Sequence, residues 1–369
     1  MIITGIVLGP FVLDLFSPQL LAISADLREI ALIVILLRAG LSLDIKDLKK
    51  VGLPAILMCF VPATLEMLAI TFLAPLIFDI SRLDAMIMGA VVAAVSPAVV
   101  VPRMLSIMET SFGKDKSIPQ LILASASVDD VFVIILFTTF MSMHGGGELS
   151  TLSLLFVPLS IVLGLLMGIL VGLILVYLFK RLRMRDTVKV LIILAIAFLM
   201  VSLEDFLIEY ISISSLLAVM AMGGTILKRY EVLATRIVAK FSKIWVGAQV
   251  LLFVLMGAAV NINYLGSATL PAILLLVGAL TFRIIGVNIS LIKSGLNGKE
   301  KLFCSIAYLP KATVQAAIGA IPLSVGVESG NLILTVAVLA IIITAPIGAV
   351  GIDNTYKKLL TKQGEKYGN

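Results

Sequence analysis

A chain of 369 residues that is 60% hydrophobic and 14% charged, with a mean hydropathy of +1.17, is too apolar for a soluble domain and falls among proteins that cross a membrane many times. The net charge of +6 raises nucleic acid as a partner, but the placement of the basic residues at the ends of apolar stretches excludes it. Cys59 and Cys304 both lie in apolar segments, so neither a disulfide nor a metal cluster is expected.

Twelve apolar segments run along the chain, at roughly 2–16, 27–43, 52–78, 85–107, 117–142, 152–179, 187–204, 210–227, 244–262, 266–292, 301–322 and 331–351. Most approach or exceed the ~20 residues of a spanning helix. The period-2 alternation of a barrel is absent, so all are expected to be helical. The predicted fold class is an all-α polytopic membrane protein with about twelve transmembrane helices.

Segment one begins at Met1 without a basic leader and is interrupted by Gly9-Pro10, so it does not read as a cleaved signal peptide. It reads as a stubby first span or as a chain with sequence upstream. Segment two holds Arg38 near its end, where a structural, snorkelling role is expected. Segment three places Glu66 at mid-depth.

Segment four reads Ala93-Ala-Val-Ser96-Pro97-Ala98-Val-Val-Val-Pro102. A mid-span proline removes a donor and clashes with the carbonyl four residues back, so a break is expected at Pro97. Segment five carries Asp129 and Asp130 at its centre. His144 follows in the loop His144-Gly-Gly-Gly-Glu148 and is expected to face solvent. Segment ten carries Arg283. Segment eleven reads Leu309-Pro310-Lys311-Ala-Thr313-Val-Gln315, a second break beside a charge.

If the N-terminus is cytoplasmic, 23 of the 28 Lys and Arg fall on cytoplasmic connections and the tail, 2 on the opposite side and 3 within spans. That asymmetry puts both termini inside and accounts for the basic charge.

Charge at mid-membrane costs roughly 2.5–3.5 kcal/mol per residue on insertion scales and is kept where it pairs or lines a wet cavity. Glu66, Asp129, Asp130, Arg283 and Lys311 therefore mark a path for small cations and protons. Interrupted helices in corresponding halves of a chain point to a midplane binding site. One break enters from outside and the other from inside, as an inverted repeat requires.

Neighbouring helical residues point about 100° apart, so Asp129 and Asp130 serve different surfaces. Asp130 shares a face with Ser127, and Asp129 with Ser125. A buried carboxylate can choose between a proton and an alkali ion. Na⁺ and Li⁺ want oxygen ligands, and the available set is carboxylate oxygen, serine hydroxyls and carbonyls freed at Ser96–Ala98. Arg283 stays charged and is a fixed countercharge for Asp129 or Glu66. Lys311 is placed to neutralise the carbonyl end of a half-helix.

Three stretches carry a resemblance: Val95-Ser-Pro-Ala-Val-Val-Val-Pro102, Ser127-Val-Asp-Asp130, and Leu309-Pro-Lys-Ala-Thr-Val-Gln-Ala-Ala-Ile-Gly319. Leu37-Arg-Ala-Gly-Leu-Ser-Leu-Asp44 and Ile343-Thr-Ala-Pro-Ile-Gly348 add to them. Together they resemble the monovalent cation:proton antiporters, in particular the NHA type of solute carrier family 9 subfamily B and its bacterial relatives.

The resemblance implies an NhaA-like fold with two crossed broken helices, a homodimer, and a core that moves like an elevator against a scaffold. It assigns the ion, Na⁺ or Li⁺, to Asp130, with Asp129 as partner, Arg283 as the basic residue of the tenth helix and Glu66 as the acid of the third. The implied organisation is scaffold 1–51, core 52–143, linker helix 144–185, scaffold 186–265, core 266–352 and cytoplasmic tail 353–369.

The expected activity is secondary exchange of Na⁺ or Li⁺ for H⁺ across a bacterial plasma membrane. Small cations and lipid are the expected partners, and no cofactor is expected. The absence of a P-loop points to ion gradients as the driving force. An Asp-Asp pair leans towards electrogenic exchange in this superfamily, whereas arginine in place of a titratable lysine leans towards electroneutral exchange, which is favoured. K⁺/H⁺ exchange and a non-transporting sensor are the alternatives. An intramembrane enzyme lacks support: there is no Gly-x-Gly-Asp, and no third acid follows Asp130 within three residues.

Overall fold

The computed structural model describes residues 1–42, 52–110, 112–144, 151–207 and 213–362. Within them the chain is helical, in the order α1 Ile2–Leu8, α2 Pro18–Ala22, α3 Ser24–Ser42, α4 Leu53–Phe78, α5 Arg82–Ala93, α6 Pro97–Glu109, α7 Ile118–His144, α8 Thr151–Arg181, α9 Asp186–Leu207, α10 Ser215–Arg229, α11 Glu231–Ala258, α12 Ile262–Ser290, α13 Gly298–Ala307, α14 Thr313–Ile318, α15 Ile321–Ser324 and α16 Gly330–Leu359. No strand occurs among the described residues; a single isolated bridge joins Phe112 and Lys362.

Each of the twelve apolar segments carries helix, and eight helical stretches among the described residues are long and apolar enough to cross a membrane. Segment one is helical only to Leu8, because Gly9 leaves the helix with extended backbone before Pro10. Segment four is divided at Ala94–Ser96, and Pro97 opens the second half at a position where its missing N–H costs nothing. Segment eleven is divided between Ala307 and Thr313.

Helix α11 starts thirteen residues before the apolar run that defined segment nine, at Glu231. Its first turns are amphipathic: Leu233, Ala234, Ile237 and Phe241 are buried while Arg236 and Lys240 face outward, so hydropathy alone misses them. His144 is exposed and ends α7. Cys59 and Cys304 are free and buried. Lys46, Lys49 and Lys50 lie outside the described residues.

The chain forms two compact units, Met1–Leu43 with Thr138–Ala259, and Asp44–Phe137 with Val260–Asn369. In the first, α10 packs against α8 and α3, and α11 against α3 and α1. The seam between α8 and α10 is built on Gly164, Gly168 and Gly172, which face Ser214, Ala218 and the Met222–Thr225 turn. Four-residue spacing keeps small residues on one helix face, so the two backbones approach closely.

A Cβ at Gly168 would strike the Ala218 carbonyl oxygen and stand 2.7 Å from the Ala221 Cβ, whereas one at Gly247 meets nothing within 4 Å. Glycine-to-alanine changes inside helices ordinarily stabilise by up to about 1 kcal/mol. Gly247→Ala is therefore expected to raise the thermal midpoint in detergent, and Gly168→Ala to lower it, at a cost of about 1–3 kcal/mol. Equal melts for the two variants would remove the close seam from the account.

In the second unit the longest contact is α4 against α12, with α5 on α4, and α12 and α13 on α16. A Cβ at Gly286 of α12 would stand 2.7 Å from the Pro62 Cα of α4. This close approach has a direct consequence for charge. Arg283 lies three residues before Gly286 and Glu66 four residues after Pro62, so both fall one turn along the same contact line.

A carboxylate also ties one end of this unit together. Glu300, fully buried, accepts Lys116 Nζ at 2.7 Å, the Asn297 N–H at 2.8 Å and the Thr361 hydroxyl at 2.9 Å, while Asn297 Oδ1 caps the Glu300 N–H. The loop before α7, the start of α13 and the residues after α16 thus meet at one side chain. Burial pulls the Glu300 carboxyl up, but the bonds from Lys116, Asn297 and Thr361 hold it on balance below its ordinary value.

A depressed carboxyl contributes stability that is complete above its unfolded value and is lost as pH falls through the folded one. The melting difference between wild type and Glu300→Gln is expected to stay constant around neutrality and to close in acid, below the ordinary glutamate value of 4.5. A difference that instead changes between pH 6 and 8 would contradict this.

Candidate functional site

The site is assembled in the second unit, where the two breaks meet. The Ser96 N–H donates to the Pro310 carbonyl at 2.8 Å, and the Ser96 and Thr313 hydroxyls lie 3.5 Å apart. Breaking a helix frees backbone groups that need partners inside an apolar body. At the end of α5, the Ala93 carbonyl accepts Lys311 Nζ at 3.3 Å and a close bond from Arg283 Nη1. The Val92 and Ala94 carbonyls accept Gln315 Nε2 at 3.0 and 2.8 Å. The Val95 N–H donates to Asp129 Oδ2 at 2.8 Å.

Glu66, Asp129, Arg283 and Lys311 are fully buried and Asp130 is 7% exposed. Arg283 Nη1 donates to Glu66 Oε2 at 2.6 Å, its Nη2 to Asp129 Oδ2 at 3.3 Å and its Nε to the Tyr308 carbonyl at 2.6 Å. Both acids considered as its partner are thus engaged. Lys311 Nζ donates to the same Glu66 oxygen at 2.6 Å, and its backbone N–H to the Thr344 hydroxyl at 2.8 Å. Tyr308 sits with its ring 5.4 Å from the Arg283 guanidinium and its hydroxyl on Ser125.

Asp130 differs from the rest. Among the described residues no group hydrogen-bonds its carboxylate, and its buried Oδ1 has no partner; Asp129 Oδ1 and Glu66 Oε1 are likewise unpartnered. With every group ionised, three acids face two bases, so the cluster holds one negative charge in excess. Uncompensated charge in such surroundings is costly. One bound monovalent cation, or one proton, removes the excess.

The oxygen set around the breaks is narrower than the sequence suggests. The Ser96 carbonyl accepts the Val99 and Val100 N–H groups at 3.2 and 3.1 Å, which leaves Ser96 its hydroxyl. Ala98 is exposed, and Pro102, four residues on, has no N–H to give its carbonyl. The side chain of Ser127 lies outside the described residues. Among those residues no group of three His, Cys, Asp or Glu side chains is placed to hold a metal ion.

Gln315, Tyr308 and Thr344 escaped the sequence reading as site residues. The signal for Gln315 was present, since it stands four residues after Lys311 as a polar residue in an apolar run.

The fold resembles that of the sodium proton antiporter MjNhaP1 from Methanocaldococcus jannaschii, with a TM-score of 0.83 at 21% identity over 97% of this chain and 91% of that one. The class is therefore a multi-pass membrane protein of the antiporter fold. Residues 1–357 match the family described as sodium/hydrogen exchanger, transmembrane. Human sodium/hydrogen exchanger 9B2 is 35% identical over 361 residues, 92% of this chain and 65% of the human protein. Sodium/hydrogen exchanger 9B1 of Macaca fascicularis is 32% identical over 92% of this chain and 68% of its own length. The chain belongs to the sodium/hydrogen exchanger family, and it spans a little under two thirds of the length of its 9B2 relatives.

Proposed function

We propose that the protein is a secondary antiporter that exchanges Na⁺ or Li⁺ for H⁺, with ion and proton competing for Asp130. The observation that carries this reading is the buried Asp130 carboxylate, whose Oδ1 has no partner among the described residues, in a cluster one negative charge in excess. Asp129 is its partner, tied to the first break through Val95 N–H and to Arg283. Glu66, Arg283 and Lys311 form the fixed countercharge network, with Pro97 at the start of one half-helix and Pro310 in the gap that follows another. The Ser96 and Ser127 hydroxyls and the Ala98 carbonyl complete the proposed oxygen set.

Charge counting favours electroneutral exchange. The site is neutral whether it holds one cation or one proton, so neither loaded form carries net charge through the membrane. Alternating access is of the elevator type, with residues 52–143 and 266–352 as the moving core. Residues 1–51 and 186–265 form the scaffold of a homodimer, joined to the core by 144–185, with 353–369 as tail. Both termini face the cytoplasm of a plasma membrane, as the 23 to 2 distribution of basic residues supports.

The test is reconstitution in vesicles with an imposed pH gradient, adding Li⁺, Na⁺ and K⁺ in turn, with and without a potential clamp. Li⁺ and Na⁺ are expected to dissipate the gradient regardless of the clamp. Dissipation by K⁺ alone would support K⁺/H⁺ exchange, and a current that follows the cation gradient would overturn electroneutrality.

A further inference from the structure

We propose that Gln315 is the positioning residue that sets cation selectivity, by withholding backbone carbonyls from the transported ion. The inference rests on the antiporter reading above and deepens it.

A helix that stops inside an apolar body ends in carbonyls that carry its negative pole. Such oxygens bind alkali cations, and rings of them suit K⁺. A carboxylate is a harder, more strongly charged oxygen that favours small ions such as Na⁺ and Li⁺. Which cation wins thus depends on which oxygens the protein leaves open.

At the end of α5 the protein closes the carbonyls. Ala93 O is taken by Arg283 and Lys311, which are bound into the charge network. The two flanking carbonyls, Val92 O and Ala94 O, are taken by one neutral side chain, Gln315, whose Nε2 donates to both. All of these groups are buried, and Gln315 is fully so. A primary amide is suited to this task. It supplies two N–H donors from one nitrogen and adds no charge, so the cluster keeps its single excess negative charge. A lysine here would cancel that excess, and a leucine would leave two buried carbonyls without donors. With Gln315 in place the carbonyls at the end of α5 are closed, and the cation is left to the Asp130 and Asp129 carboxylates with the Ser96, Ser127 and Ala98 oxygens proposed above.

The test compares the apparent KM and maximal rate for Li⁺, Na⁺ and K⁺ in vesicles for wild type, Gln315→Met and Gln315→Glu, with thermal melts of each. Methionine keeps the side-chain length and removes both donors without altering the charge count; an ionised glutamate also removes them but adds a second excess negative charge, so selectivity is read from Gln315→Met and Gln315→Glu reports the effect of added charge. The expected result is a fall of tenfold or more in the ratio of Na⁺ to K⁺ efficiency in Gln315→Met, arising chiefly in KM. Unchanged KM ratios in folded variants, or an equal loss of rate with all three ions, overturn the proposal and leave Gln315 a structural clasp. Failure of both variants to fold overturns it as well. Wild type without exchange with any cation refutes the antiporter reading instead, so the two failures are distinguishable.

Discussion

Asp130→Asn is expected to abolish cation-dependent proton exchange, to the level of empty vesicles, while leaving the thermal midpoint nearly unchanged. The two halves of this expectation come from one fact. Asp130 Oδ1 has no partner among the described residues, so a near-isosteric amide breaks no hydrogen bond at that oxygen, and because it matches the neutral, protonated acid in size and charge the midpoint is expected to stay close to that of wild type. The same change removes the cluster's excess negative charge, leaving two acids against two bases. Neither a cation nor a proton is then needed for neutrality, and the coupling between them disappears. Proton exchange that persists in a folded Asp130→Asn protein would refute the assignment of the ion to this residue.

Glu66→Gln is expected to lose both stability and exchange. One carboxylate oxygen holds Arg283 and Lys311 together, each at 2.6 Å and all three side chains fully buried. Without it, Arg283 retains Asp129 and two carbonyls, but Lys311 retains only the Ala93 carbonyl. Removing one partner of a buried pair costs about 3–5 kcal/mol because a charge is left uncompensated. The cluster also becomes neutral with no ion bound, so exchange stops.

The double variant Glu66→Gln/Lys311→Met separates these effects. It removes the stranded ammonium and restores the single excess negative charge. Its stability is expected to exceed that of Glu66→Gln alone, and exchange is expected to return in part. A strictly additive loss in the double-mutant cycle would show that Lys311 and Glu66 do not act as a pair.

The architecture was legible where physical chemistry allows few options. Long apolar runs in lipid must be helices, and the breaks lie at Pro97 and Pro310, each beside a polar residue in its apolar run, whereas Pro62, Pro75, Pro102, Pro271 and Pro346 lie inside continuous helices. The start of α11 was not legible from hydropathy, because its first turns bury one face only. Within the site, the five charged residues were visible as anomalies in apolar segments. Their wiring was not. Sequence position says that Arg283 needs an acid, but only the Gly286–Pro62 approach, one turn away from both, brings Glu66 into contact with it. That one Glu66 oxygen serves both bases depends on the meeting of Ser96 and Pro310, a contact between residues more than two hundred apart in the chain. Gln315 was passed over because an amide beside a lysine carries no charge to draw notice.

The charge network also imposes an order on biosynthesis. Glu66, Asp129 and Asp130 leave the ribosome before either of the bases that later face them, and Arg283 follows Asp129 by 154 residues. At a synthesis rate of about 5–20 residues per second, that interval is roughly 8–30 s. For that time the nascent acids lack Arg283 and Lys311, the two bases they face in the folded protein. Charge pairing in this cluster is thus complete only once the segment carrying Arg283 and Lys311 has been made.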